Sequence, residues 1–254
     1  MAWQRYVALG DSFTEGLDDP DPTRSGSFRG WADLTAGELS RLTDDFRYAN
    51  LAIRGRLFDP IVAEQVDPAL AMKPDLISFA AGGNDVLRKN CDPPALMQRF
   101  DATVAKLRDG GADVVLFRWV NLVDRLPGGK MIGPRVRFLN QAVVEVAEKY
   151  GARLVNLWDD DAFANPALWS VDRLHLAAAG HRRVAAHVLT ALDVSVPDGW
   201  WDEPAYPRKR SWPVARAQDA HWAGTHLAPW IKRRLTGRSS GDDVQPKRPT
   251  LGPL

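Results

Sequence analysis

A chain of 254 residues is long enough for one large domain or two small ones and should bury roughly 70–75% of its unfolded surface. With 45% hydrophobic and 26% charged residues and no 18-residue apolar run, it has the composition of a soluble globular protein and offers no membrane span. The 33 Lys and Arg against 32 Asp and Glu give a net charge of +1, which argues against nucleic-acid binding by the whole chain. The single cysteine, Cys91, excludes an internal disulfide framework or a multi-cysteine metal site.

In chain order, Met1–Tyr6 runs into a strand-like segment without a basic n-region or an apolar h-region. No signal peptide is expected, and the protein is expected to begin here and to be cytoplasmic. Tyr6–Leu9, Phe46–Asn50, Leu76–Ala80, Val114–Phe117 and Arg153–Leu157 are short and nearly continuously apolar, as strands covered on both faces should be. Amphipathic stretches follow or separate them at Trp31–Leu42, Pro60–Ala71, Pro93–Arg108, Pro134–Tyr150 and Ala178–Leu192. Several carry Pro near the start, and Gly110 or Gly151 just past the end, the polarity of helix boundaries. Strand and helix in alternation predict right-handed crossovers, a five-stranded parallel sheet and a three-layer α/β/α sandwich over residues 1–198. From about Gly199 the composition changes: ten Lys or Arg stand against five Asp or Glu, with five of the ten tryptophans and seven of the eighteen prolines. Residues 199–254 are therefore read as a separate basic arm, its last 15 or so residues extended or disordered. A short amphipathic helix around Asp219–Leu235 would pack on its own domain as a clamp; a subunit-exchange arm forming a homodimer and an interfacial segment are the alternatives.

Chemistry-bearing residues fall after the strands, where a parallel sheet binds its ligands. Gly10-Asp11-Ser12 sets a serine at a glycine-bounded turn that can present a hydroxyl and leave backbone N–H groups free for an oxyanion; it reads equally as a turn capping the next helix. Gly55 lets backbone approach a ligand, or is an αL turn residue. Gly82-Gly83-Asn84-Asp85 brings an amide to the cleft, or an Asn bonded to its own turn. Asp172 and His175, three residues apart, could form an oriented base or an ordinary capping pair. Predicted on one rim, the four segments together supply nucleophile, base, orienter and oxyanion donors.

In order and approximate spacing, Gly10-Asp11-Ser12, Gly55, Gly82-Gly83-Asn84-Asp85 and Asp172-x-x-His175 resemble the four blocks of the SGNH or GDSL hydrolases, over about residues 5–192. The resemblance implies a flavodoxin-like fold, Ser12 as nucleophile, His175 as general base and Asp172 as its orienter. It implies an oxyanion hole formed by the Ser12 and Gly55 N–H groups and the Asn84 side chain, with no metal or organic cofactor. Phe13 stands where the family name has Leu. The implied activity is hydrolysis of an acyl ester through an acyl-serine; transfer of the acyl group to a sugar hydroxyl is the alternative within the family, and a non-catalytic binding module on the same fold the alternative outside it. The substrate is expected to be a small acyl ester or an acylated carbohydrate. Loops 17–29 and 120–135 would flank the cleft, and Asp11, Arg54, Arg125 and Arg135 are the candidates to bind a polar substrate there, if they are more than solvated surface.

Overall fold

A computed structural model describes residues 3–121, 123, 129–207, 216, 219, 221, 222, 224, 225 and 239–254. Five parallel strands form its centre: β1 (Arg5–Gly10), β2 (Arg47–Asn50), β3 (Leu76–Ala80), β4 (Asp113–Arg118) and β5 (Arg153–Asn156). Each overlaps a predicted strand. A sixth, β6 (Arg248–Gly252), which the five-strand reading does not contain, pairs antiparallel with β2 (Tyr48↔Gly252, Asn50↔Arg248). The spatial order is β5-β4-β3-β1-β2-β6, so the parallel part runs 2-1-3-4-5, the flavodoxin-like winding whose switch point lies between β1 and β3.

Strand alternation divides the core into two layers. Val7 and Leu9 of β1, Ile77 and Phe79 of β3, and Val114 and Leu116 of β4 pack with helices α6 (Pro93–Asp109) and α7 (Gly129–Tyr150). Tyr6, Ala8, Leu76, Ala80, Val115 and Phe117 pack with α2 (Gly30–Leu39) and α8 (Ala178–Ala191). The predicted helix at Pro60–Ala71 is broken into α3 (Phe58–Ile61), one wide π turn (Val62–Val66) and α4 (Asp67–Ala71). Pro68 lacks the N–H that a regular helix would use there, and the wider turn absorbs the loss. α7 starts at Gly129, upstream of its predicted start, and carries Pro134 inside it.

Two one-turn helices escaped the sequence reading, α1 (Ser12–Glu15) and α5 (Gly83–Val86). Both are too short for an apolar period to register. Residues 199–207 lie against the sandwich: the Asn165 amide donates to the Pro204 carbonyl at 2.7 Å, Arg183 donates to the Trp201 carbonyl at 2.8 Å, and the His187 and Trp201 rings meet edge-on at 4.8 Å. Most of the helix expected around 219–235 lies outside the described residues; Asp219 pairs with Arg173 at 2.8 Å, whose guanidinium stacks on Trp222 at 4.8 Å. No described helix is long and apolar enough to cross a membrane.

Beneath α1 the rings of Phe13, Trp31 and Phe117 form a cluster with centroids 4.9–5.5 Å apart, and Phe117 is buried at 2% exposure. Phe117→Ala is expected to lower the free energy of unfolding by about 3–5 kcal/mol, read from the urea midpoint with an unchanged slope. A loss below about 1 kcal/mol would mean that the cluster closes over the gap.

Candidate active site

The site begins where β1 ends. Gly10 passes so close to β3 that a Cβ on it would stand 2.7 Å from the Ala80 carbonyl oxygen and 2.5 Å from Thr14 Oγ1, so only glycine fits. The buried Gln65 side chain, from the π turn, accepts from the Gly10 N–H at 2.8 Å and donates to its carbonyl at 2.9 Å. Sequence reasoning missed Gln65. Its one signal is a polar residue on a helix face that is otherwise buried.

With Gly10 fixed, Asp11 turns the chain into α1: its carbonyl accepts the Thr14 and Glu15 N–H groups, and its Oδ1 accepts from Phe13 N–H at 3.0 Å. Ser12 is thereby the first residue of the short helix. On the facing loop the Asp172 Oδ1 accepts the N–H groups of Leu174 and His175, both at 2.9 Å, which curls the loop. The same turn brings Asp172 Oδ2 to 2.5 Å from His175 Nδ1, leaving Nε2 at 3.0 Å from Ser12 Oγ. The three-residue spacing works because one carboxylate oxygen shapes the turn while the other holds the ring.

Asn84, on α5, donates through Nδ2 to Asp11 Oδ2 at 2.9 Å and to the Arg56 carbonyl at 3.0 Å. Its neighbour Asp85 accepts the Phe58 N–H at 2.9 Å, so the loops after β2 and β3 are tied together. Gly55 sits beside Arg56 with φ +74°. Neither the Ser12 nor the Gly55 N–H has an acceptor among the described residues.

The structure redirects the polar candidates. Asp11 lines the cleft but is 4% exposed and is engaged by Asn84 and Phe13, so it supports the site rather than meeting solvent. Arg54 does not line the cavity: its guanidinium binds the Glu15 carboxylate and lies 5.1 Å from the centre of the Phe28 ring. Arg135 is also absent from the cavity lining, its guanidinium donating to the carbonyls of Arg88 at 2.6 Å and Lys89 at 3.0 Å. In both cases a nearby carboxylate or carbonyl, invisible in the sequence, captures the cation. Arg125 lies outside the described residues.

What does line the space beside Ser12 and His175 is apolar: Phe13, Leu17, Trp119, Ile132, Val136 and Leu139 surround most of a cavity of about 120 Å³. The stripe 132-136-139 on α7 has helical spacing, but periodicity alone could not show that it faces the site instead of the core.

Several carboxylates surround His175. Burial opposes charge on His175, yet the hydrogen bond and charge of Asp172, with Asp18 and Asp11 adding to it, outweigh burial and raise its pKa above the ordinary 6.5. Burial also works against Asp172, but the hydrogen bond and charge of His175 hold its carboxyl down at about 2. Burial pushes Asp11 up to about 6, although Phe13 N–H and His175 pull the other way. Asp18, Asp172 and His175 also form the one group of metal-ligating side chains among the described residues, their ligand atoms within 4.8 Å of one another. Both ring nitrogens of His175 are already engaged, by Asp172 and Ser12, which leaves no lone pair free for a cation.

Residues 8–183 match the GDSL-like lipase/acylhydrolase family. The chain belongs to this family. Membership places it among ester-acting hydrolases of the SGNH/GDSL superfamily. Among solved structures it is similar to TesA (25% identity, 74% of this chain and 98% of that one, TM-score 0.61). It also resembles LAE5, an alpha/beta hydrolase enzyme from the metagenome of Lake Arreo, Spain (22% identity, 75% and 95%, TM-score 0.62). A third similar structure is Axe2, an acetylxylan esterase from Geobacillus stearothermophilus (19% identity, 77% and 97%, TM-score 0.61). No curated protein matches the sequence.

A raised pKa keeps His175 protonated to higher pH, and if His175 serves a serine nucleophile as base it must be neutral to act. In pH-rate measurements kcat/KM should therefore rise with pH through an apparent pKa above 6.5. Asp18→Asn, which removes one of the charges that raise it, should move that limb to lower pH. A limb unmoved in Asp18→Asn would show that this carboxylate does not act on the base.

Proposed function

We propose that the protein is a serine esterase for small acyl esters with short acyl groups. The observation that carries this reading is the unbroken chain from Ser12 Oγ to His175 Nε2 at 3.0 Å and from His175 Nδ1 to Asp172 Oδ2 at 2.5 Å, set at the wall of an apolar cavity. Ser12 Oγ attacks the ester carbonyl as its proton passes to His175 Nε2, and Asp172 stabilises the resulting imidazolium. The tetrahedral oxyanion takes the free N–H groups of Ser12 and Gly55. Asn84 joins by turning onto it one of the two hydrogens held in the free enzyme by Asp11 and Arg56, a contact that tightens only as the oxyanion forms. Collapse breaks the ester C–O bond and the leaving alkoxide takes the proton from His175. A water molecule, deprotonated by His175, then attacks the acyl-serine, releasing the acid and returning the proton to Ser12.

The cavity sets the acyl size. A void of about 150 Å³ takes a six-carbon ring, so 120 Å³ suits acyl chains of about four to six carbons. Its apolar wall favours an alkyl group over a sugar. Transfer to a sugar hydroxyl would call on the Arg and Asp side chains of loops 17–29 and 120–135; Arg135 is bound to backbone carbonyls instead, and the apolar wall supports hydrolysis.

With p-nitrophenyl esters, kcat/KM should climb about fourfold per added methylene, the worth of about 0.8 kcal/mol each, until the cavity fills, and then fall. A maximum at acetate, or beyond ten carbons, would refute the assignment of this cavity to the acyl chain. Ser12→Ala should remove at least about 10³-fold of the turnover with the thermal midpoint nearly unchanged, because the acyl-serine route is lost while the fold is not. Retention of more than a few per cent of wild-type turnover would assign the nucleophile elsewhere.

A further inference from the structure

The C-terminal residues Ser239–Gly252 lie outside the stretch that matches the family, yet they are packed on one of the site's loops. Lys247 anchors them. Its side chain is only 9% exposed, its Nζ pairs with Asp33 at 2.8 Å, and it donates to the carbonyls of Arg29 at 2.6 Å and Phe28 at 3.1 Å. Such a buried, fully bonded ammonium is costly to unpair, and β6 adds ladder pairing to β2 just after it. Upstream of the anchor, residues 239–244 form a closed turn: Asp242 Oδ2 accepts the Ser239 N–H at 2.9 Å, Ser239 Oγ accepts the Gly241 N–H at 3.2 Å, and the Gly241 carbonyl accepts the Val244 N–H at 3.2 Å.

This turn is pressed into the loop that carries Gly55. A Cβ added to Gly55 would fall inside contact distance of Ser239 Oγ and Ser240 Oγ, and one added to the buried Gly241 inside that of the Arg54 carbonyl oxygen and 2.8 Å from Ile53 Cγ2. Arg56 reaches Asp242 at 3.7 Å. On its other side the loop is held by Glu15, the last residue of α1, whose Oε2 accepts the Arg54 N–H at 2.8 Å. Gly55 is thus clamped between the nucleophile's helix and the C-terminal turn. A backbone donor has no rotamer of its own, so its aim follows the backbone of its loop and whatever holds that loop in place.

We infer that the C-terminal segment 239–252 is a positioning strap for the active site, its turn Ser239–Gly241 fixing the Gly55 N–H toward the oxyanion. The inference rests on the reading of Gly55 as an oxyanion donor. Gly241 has no left-handed backbone requirement, so Gly241→Ala tests the packing alone.

The experiment combines steady-state kinetics on p-nitrophenyl butyrate with amide NMR of the full chain. The amide spectra are taken before and after reaction with diethyl p-nitrophenyl phosphate. In that reaction Ser12 Oγ, its proton passing to His175 Nε2, bonds to phosphorus as p-nitrophenolate leaves, and the phosphoryl oxygen stands in for the oxyanion. In the wild-type chain the Gly55 amide proton should move downfield on phosphorylation. In Gly241→Ala that shift should shrink, and kcat should fall about 10- to 100-fold, part of the effect of losing one oxyanion donor, with KM nearly unchanged. A wild-type Gly55 proton that does not move overturns the donor reading and the strap with it. A wild-type shift that persists in Gly241→Ala, with kcat unchanged, overturns the strap alone. Should Gly241→Ala fail to fold, Ser239→Ala, which removes the hydroxyl that touches Gly55 and closes the turn, takes the same two readouts in the same direction.

Discussion

The geometry of the site depends on how closely β1 and β3 carry their ends past each other. Gly10 pairs with Ala80 at a distance that excludes any side chain, and Gln65 holds both polar groups of the Gly10 backbone. That approach puts Asp11 within reach of Asn84, so the loops after β1 and β3 are cross-linked by a hydrogen bond between their own side chains. Ser12 follows as the first residue of a one-turn helix and has little freedom left. Positions held this tightly give the site a fixed geometry before any ligand arrives, the arrangement from which a preorganised site draws much of its gain.

Charge is arranged around His175 with the same economy. Asp172 spends one oxygen on the turn and the other on the ring, while Asp18 and Asp11 add negative potential without displacing it. Asp11 is buried and the other two are half-buried, so their charges are weakly screened. Negative charge is thus already in place around the imidazole, and no side chain has to move to supply it.

The cavity wall is mostly hydrocarbon, while Arg54 is bound to Glu15 and Arg135 to backbone carbonyls. This division follows from desolvation: an arginine beside a buried carboxylate gains more by pairing with it than by waiting in an apolar cleft. The loop that carries Arg54 is drawn to α1 by that pairing and pressed from the opposite side by the C-terminal turn, so charge and packing act on one short segment of backbone.

By itself the sequence determined the sandwich, since near-continuous apolar strands alternating with amphipathic helices have few other ways to bury both faces of a sheet. It also marked Ser12, Gly55, Asn84, Asp172 and His175, because the turn chemistry of Gly-Asp-Ser and of Asp-x-x-His is local and short-range. It did not reveal β6, whose residues read as polar and Pro/Gly-rich and become a strand only because β2 offers an open edge to pair with. It did not reveal Gln65 or the cavity stripe of α7 either, and it assigned Arg54 and Arg135 to a cleft they do not line. Each of these depends on a partner tens of residues away, and a long-range contact leaves no periodic or compositional trace in one chain. Which buried polar group meets which partner is a matter of long-range folding, and those meetings fix how each side chain of the site is aimed.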